Sequence, residues 1–266
     1  MATELSPSLP RQAILNLILS LADDELMLGH RDSEWTGHSP ILEEDIAFSN
    51  IAQDELGHSL VWFTLYEQLT GRSPDAMAFE RPWNEFTCCR FVTYPRGDFG
   101  YTVMRQYLFD EAEQARLHAF GHSSVEQLRE ISGKLLREEA YHLLHSKGLV
   151  ERLGDATEES HRHMQTAVDE AFPQSLGLFE MLDGEEELIK AEVFSGNNAI
   201  KNQWLSRVVP VLTTATLNVP VSHVNGSYSL NVKADDGGRR KLHTQHLKQL
   251  VDDLQQVYRI APVAKW

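Results

Sequence analysis

Cysteine is nearly missing from this 266-residue chain: the adjacent pair Cys88 and Cys89 is all it has. Neighbouring cysteines make no CxxC and no spaced framework of bridges, so a reducing cytoplasm is the expected home and packing the expected use of both thiols. Positive charge is scarce as well. Lys and Arg total 24 against 39 Asp and Glu, a formal charge of −15. That excludes the basic footprint of a duplex nucleic-acid surface, though not a local basic patch for an anionic ligand. Long hydrophobic runs are also lacking. The strongest, AILNLILSLA at 13–22, is interrupted by Asn16 and Ser20 and falls short of the roughly 20 residues that span a bilayer. The first residues, MATELSPSLPRQ, do not have the basic-then-apolar layout of a secretory signal. No GxGxxG, no GxxxxGKS/T and no GxSxG elbow occurs, so the chain brings neither a nucleotide cradle nor a serine nucleophile of that kind. Any dioxygen chemistry would draw its electrons from a separate reductase. These absences leave a soluble cytoplasmic protein, with no nucleic-acid partner and no membrane.

What is present is helical period. Apolar residues make up 42% and charged residues 24%, ordinary for a globular chain that buries a sizeable core. The apolar spacing predicts helices at about 9–31, 40–70, 98–120, 122–153, 158–171, 185–209 and 241–260. Stops are expected at Thr70-Gly71 with Pro74 beyond, at Gly154-Asp155 and at Phe172-Pro173. The stretch 72–97 holds Pro74, Pro82 and Pro95 but also Trp83, Phe86 and Tyr94. Such aromatics mark an ordered crossing connection, not a flexible linker. Asn225-Gly226 suggests a short hairpin within 218–240. Two long helices, a long connection and two more long helices are the order of a four-helix bundle with one crossover. The fold class expected is all-α, a ferritin-like four-helix bundle with additional C-terminal helices. It is read as a single domain over 1–266, with its core bundle at about 9–154 and a helical extension at about 155–266.

The chemistry lies in polar residues that interrupt apolar stripes. In the second long helix the line Phe48, Ile51, Trp62, Leu65, Leu69 continues through Glu55 and His58. An unpaired charge in such a place costs several kcal/mol, so helices normally turn it to water. The fourth repeats the arrangement: Leu128, Ser132, Leu135, Glu139, His142, Ser146, Leu149. In the first, Ile14, Ile18, Leu21 and Leu28 are interrupted by Glu25 alone. In the third, a line through Asp110 and one through Glu111 fit nearly equally well. Residues three apart on a helix lie about 60° apart around its axis, so each Glu-x-x-His pair converges on one point. One such pair alone is commonplace on a solvated face. Two, both inside apolar lines and accompanied by single inward acids on the other helices, match the inventory with which ferritin-like bundles hold two iron or manganese ions. Asp54 and Glu138, each just before a ligand Glu, are candidate outer-shell acceptors for the imidazole N–H groups. The remaining histidines, such as His30, His118, His122, His163 and His243, read as surface or structural, and Tyr107 and Tyr141 as packing aromatics.

A resemblance adds to this reading. LADDELMLGHRDSEWTGHSP, NIAQDELGH, RQYLFDEA, REEAYHLLHSKGLVERLG, EVFSG, ATLNVP and GGRRKLHTQHL resemble, in order from about residue 15 to the C-terminus, the C subunits of phenylacetyl-CoA epoxidase, also called phenylacetate-CoA oxygenase. The last of these motifs is particular to C subunits; the metal motifs are shared with the catalytic A subunits. The resemblance implies a ferritin-like fold within a multicomponent oxygenase that inserts one atom of O2 into the ring of a CoA thioester, phenylacetyl-CoA, to give a 1,2-epoxide. It implies an A-type partner subunit, a flavin and iron–sulfur reductase fed by NADPH, and an oligomer of like or unlike chains. The A subunits carry Asp as the third-helix ligand, which favours Asp110 over Glu111. Familiar C subunits are structural partners that have lost most ligands; this sequence keeps Glu25, Glu55, His58, Asp110, Glu139 and His142.

Overall fold

The computed structural model describes residues 5–262 and 264. The all-α, ferritin-like class expected from the sequence is what it shows. The helices are α1 (Arg11–Ser33), α2 (Leu42–Thr70), α3 (Phe99–Phe120), α4 (Glu126–Asp155), α5 (Glu158–Ser175), α6 (Glu185–Lys190), α7 (Asn197–Thr214) and α8 (Gln245–Ile260). Strands β1 (Val221–Val224) and β2 (Ser227–Leu230) form an antiparallel hairpin in which Val221 faces Leu230. The turn is the expected Asn225-Gly226, both at positive φ (51° and 80°), as the tight primed turn of a two-residue hairpin requires. The chain divides into two compact units, Met1–Pro95 with Gly237–Trp266, and Arg96–Asp236.

In the first unit α1 and α2 run antiparallel. Ser59 donates to the Ala22 carbonyl at 2.8 Å and Arg11 reaches the Leu69 carbonyl. Gly29 makes the close approach possible: a Cβ there would stand 3.0 Å from the Ala52 carbonyl oxygen. Glu43, Glu44 and Asp45 occupy the first turn of α2, where negative charge offsets the helix dipole. Gly71, at φ 78°, ends the helix at the expected stop and does so in the left-handed conformation.

The connection after α2 is ordered, as its aromatics implied, and two acids of α1 hold it. Asp23 receives the Arg81 guanidinium, the Thr87 N–H at 2.7 Å and the Thr87 hydroxyl at 3.0 Å. Asp24 receives the Cys89 N–H at 2.7 Å and the Arg239 guanidinium. Gly238 lies against this connection so tightly that a Cβ would come within 2.4 Å of the Cys88 carbonyl oxygen. α8 covers the segment, with Gln255 donating to the Ala78 and Arg81 carbonyls and Tyr258 stacked on Phe79. Cys88 and Cys89 are buried and form no disulfide among the described residues, in keeping with a packing role.

In the second unit α3 is the central element, with 19 of its 22 residues buried. α4, α5 and α7 pack around it, and Trp204 of α7 donates its indole N–H to the Leu108 carbonyl at 2.9 Å. Two expectations need correction here. The helix expected at 185–209 is two, because Glu192 (φ 55°) and Gly196 (φ 87°) turn the backbone left-handed between α6 and α7. Pro173 does not stop α5: the helix runs two residues past it to Ser175, and the Pro173 carbonyl accepts from Asp235 N–H. The stop expected at Gly154-Asp155 is where α4 ends, and Gly154 is also a contact point: a Cβ there would come within 2.6 Å of the Ala215 carbonyl oxygen.

Candidate metal centre

Each unit gathers three of the six residues predicted to bind metal. In the first, Glu25 comes from α1 and Glu55 and His58 from α2; all are no more than 2% exposed. Each offers one ligand atom, and these lie within 4.8 Å of one another. The i, i+3 spacing places His58 Nδ1 3.8 Å from Glu55 Oε2. The turn of α1 that carries Glu25 is anchored by its neighbours. Of the three consecutive buried acids Asp23, Asp24 and Glu25, the first two are matched by the buried guanidinium groups of Arg81 and Arg239. The third gathers with Glu55 and His58.

The second unit repeats the pattern. Glu139 and His142 of α4 and Asp110 of α3 are fully buried. His142 Nδ1 stands 3.5 Å from Glu139 Oε1, and Asp110 and His142 bring ligand atoms within 4.8 Å of each other. Asp110 is held from both sides: Gln106 Nε2 donates to Oδ1 at 2.7 Å and Ser146 Oγ to Oδ2 at 2.6 Å. Glu111 is also buried, and burial pushes its carboxyl pKa up against the pull of Arg207 and Lys147. Its ligand atoms do not join those of Asp110 and His142.

Sequence reasoning passed over the supports. Ser146 was visible in the apolar line four residues after His142, and Gln106 one turn before Asp110, but neither pattern assigns a role. The pairing of Asp23 with Arg81 and of Asp24 with Arg239 was not visible at all. Asp54 is half-buried and Glu138 exposed. Tyr107 is buried, its hydroxyl pKa pushed upward first by burial and then by Glu111, Glu151 and Asp110. Tyr141 is half-exposed.

The donor set fits a metal. Nitrogen and oxygen donors sit roughly 2.0–2.2 Å from a small divalent ion, so atoms on one ion are at most about 4.4 Å apart. Three donors already within 4.8 Å of one another need to close by less than an ångström. Carboxylate with imidazole suits iron, manganese or zinc better than thiolate-seeking ions. Buried carboxylates without such a partner are costly.

With this geometry in hand, a family model described as Phenylacetic acid catabolic protein matches residues 1–266. The chain belongs to that family. Within it, the C subunit of 1,2-phenylacetyl-CoA epoxidase from Escherichia coli (strain K12) is 32% identical over 249 residues, covering 93% of this chain and 97% of that one. The resemblance read from the motifs therefore stands over nearly the whole length. Among the described residues no helix is long and apolar enough to cross a membrane.

Proposed function

We propose that this member of the family is a subunit of a multicomponent di-iron oxygenase of the phenylacetyl-CoA 1,2-epoxidase type, acting in aerobic phenylacetate catabolism. The observation that carries the reading is the repeated buried half-site, a carboxylate beside a Glu-x-x-His pair, built once in each unit. In this reading the whole chain is one ferritin-like domain and the six residues hold two iron ions, for which manganese is the chemical alternative. Glu55 and Glu139 would be shared between the two ions, Glu25 and Asp110 would each serve one, and His58 and His142 would each give one ion a nitrogen. Iron, when bound, supplies the one-electron redox chemistry that dioxygen activation requires and side chains lack. The residues do the rest: four carboxylates balance the charge of the ions, and Asp54 and Glu138 take the outer imidazole N–H groups. Ser146 and Gln106 fix the Asp110 rotamer. Electrons arrive from a separate flavin and iron–sulfur reductase, and the CoA thioester is presented together with an A-type partner.

Metal analysis of protein purified from iron-supplemented cells tests this. Close to two ions per chain are expected. Well under one, with no gain on anaerobic Fe(II) addition, defeats the reading.

A second reading has its own support, the 97% coverage of a C-type relative: a non-catalytic scaffold for the A-type partner, retaining an ancestral metal site. Glu55→Ala and Glu139→Ala separate the two. If the assembled complex keeps its oxygenation rate with both changed, the scaffold reading wins; a collapse of activity in an intact complex supports catalysis in this chain.

A further inference from the structure

In the second unit, at the C-terminal end of α3, a cavity of about 490 Å³ is lined by His118, His122 and Glu192, with Phe194, Ser195 and Gln203 among its other walls. The two histidines stand four apart. Helical hydrogen bonding carries on past the end of α3 between and beyond them: Gly121 N–H donates to the Leu117 carbonyl at 3.1 Å and Ser123 N–H to the Phe120 carbonyl at 2.9 Å. Side chains four apart on such a backbone share a face, the spacing at which a helix offers two imidazoles to one zinc ion.

Glu192 enters from the turn between α6 and α7. A glutamate at φ 55° is uncommon, and this turn is pinned to the segment that carries His122. Ser124 N–H donates to the Glu192 carbonyl at 2.9 Å, and the Ser124 hydroxyl to the Ala191 carbonyl at 2.7 Å. The three side chains are uncommitted. His161, His163 and His243 each hydrogen-bond through the ring, whereas among the described residues His118, His122 and Glu192 make no side-chain hydrogen bond or ion pair.

We propose that His118, His122 and Glu192 hold a divalent ion of the zinc type, which ties the α6–α7 turn to the end of α3. Two imidazole nitrogens and one carboxylate oxygen, with a fourth position left to water, are a donor set that zinc accepts. Ser195 and Gln203 line the same cavity and offer hydrogen bonds to that water. An anion suits the site less well, because Glu192 would repel it, while the negative end of the α3 dipole and a chain charge of −15 favour a cation. The donors do not begin as close as the buried ones, which are the groups of three within 4.8 Å among the described residues. All three are exposed, so rotation about their χ angles closes the gap at a cost in rotamer entropy. Binding in the micromolar range is expected, weaker than at a preorganised structural site.

The site is separate from the buried carboxylates, and so is its test. Zinc titrations of the full chain against a chromophoric chelator should find one more ion per chain in the parent than in His118→Ala or His122→Ala. Glu192→Gln should weaken that ion by about tenfold or more, and circular dichroism should be unchanged in all three, since each position is at the surface. The same difference should survive when the buried site is disturbed: Glu55→Ala should lose one further ion when His118→Ala is added. Zinc should also slow the carbethoxylation of His118 and His122 by diethyl pyrocarbonate, read by peptide mass. Equal zinc uptake by the parent and both histidine variants overturns the proposal. So does an ion that is lost with the histidines yet indifferent to Glu192→Gln, for it would be held by α3 alone and tie nothing to the α6–α7 turn.

Discussion

Ser146 on α4 donates a 2.6 Å hydrogen bond to Oδ2 of Asp110 on α3, the carboxylate whose other oxygen is held by Gln106. The two bonds fix a short side chain with few rotamers, which is how a ligand is preorganised before metal arrives. Ser146→Ala is therefore expected to lower metal affinity roughly tenfold and stability by about 1.5–3 kcal/mol, the range for a bond to a charged group. Titration of the apo protein with Fe(II) or Co(II) measures the first effect and urea unfolding the second. Undiminished affinity would remove Asp110 from the ligand set.

How much of this was legible depends on whether a residue breaks a local rule. Glu55, His58, Glu139 and His142 announce themselves because each interrupts an apolar stripe on an otherwise amphipathic helix. Asp110 does not: α3 is buried nearly all round, so no face is exempt and periodicity cannot choose between Asp110 and Glu111. What distinguishes the two is contact across helices, since Asp110 meets Ser146 and shares a ligand cluster with His142. Helix ends fared likewise. Gly71 was legible because a glycine in left-handed conformation closed the helix, but the break between α6 and α7 is partly made by Glu192 at φ 55°, a residue with no turn signal. The partners of Asp23 and Asp24 lie 58 and 215 residues away, beyond any local pattern.

The proposed bridging role of Glu139 makes a prediction that a terminal role does not. His142→Ala removes one nitrogen from one ion, while Glu139→Ala removes a shared carboxylate and leaves two cations with less negative charge between them. Glu139→Ala should lose more metal than His142→Ala. Both apo proteins should stay helical, because the stripes still bury Leu, Ile, Phe and Trp. Metal should raise the parent's stability by about 2.7 kcal/mol at a hundredfold excess over Kd. Metal content and circular dichroism of the two variants decide it; equal full occupancy would mean that Glu139 is no bridge.

His243 gives the first unit an acid sensitivity. Its Nε2–H donates to the Phe86 carbonyl at 2.7 Å, and burial holds its pKa below the ordinary 6.5 despite that bond. In the unfolded chain the imidazole gains its proton at the ordinary value, so as pH falls the unfolded state binds it first. The contribution to stability is complete above about 6.5 and is lost as pH falls toward the folded value. His30, also lowered by burial, acts in the same direction. Thermal midpoints measured between pH 7.5 and 5.5 should fall, and His243→Gln, which keeps a donor for Phe86, should make the slope shallower. An identical slope would show that His243 does not titrate in this window.

The pair Asp24–Arg239 is the strongest test of what holds the C-terminal segment to α1. The side chains are 1% and 3% exposed and meet through two bonds, Nη1–Oδ1 at 2.9 Å and Nη2–Oδ2 at 2.5 Å. Arg239 also donates to the Ser20 and Thr87 carbonyls. Removing either partner strands the other's charge in the interior, so Asp24→Ala and Arg239→Ala should each cost about 3–5 kcal/mol. The double variant strands neither, and its cost should fall well short of the sum. Urea unfolding followed by circular dichroism on the three proteins gives the coupling directly. Additive single costs would mean that the two charges are solvated independently. Because Asp24 adjoins Glu25, the singles should also lose metal more readily than Ser146→Ala does, through a displaced α1 turn. A variant that unfolds early yet keeps full metal occupancy when folded would separate the clamp from the site.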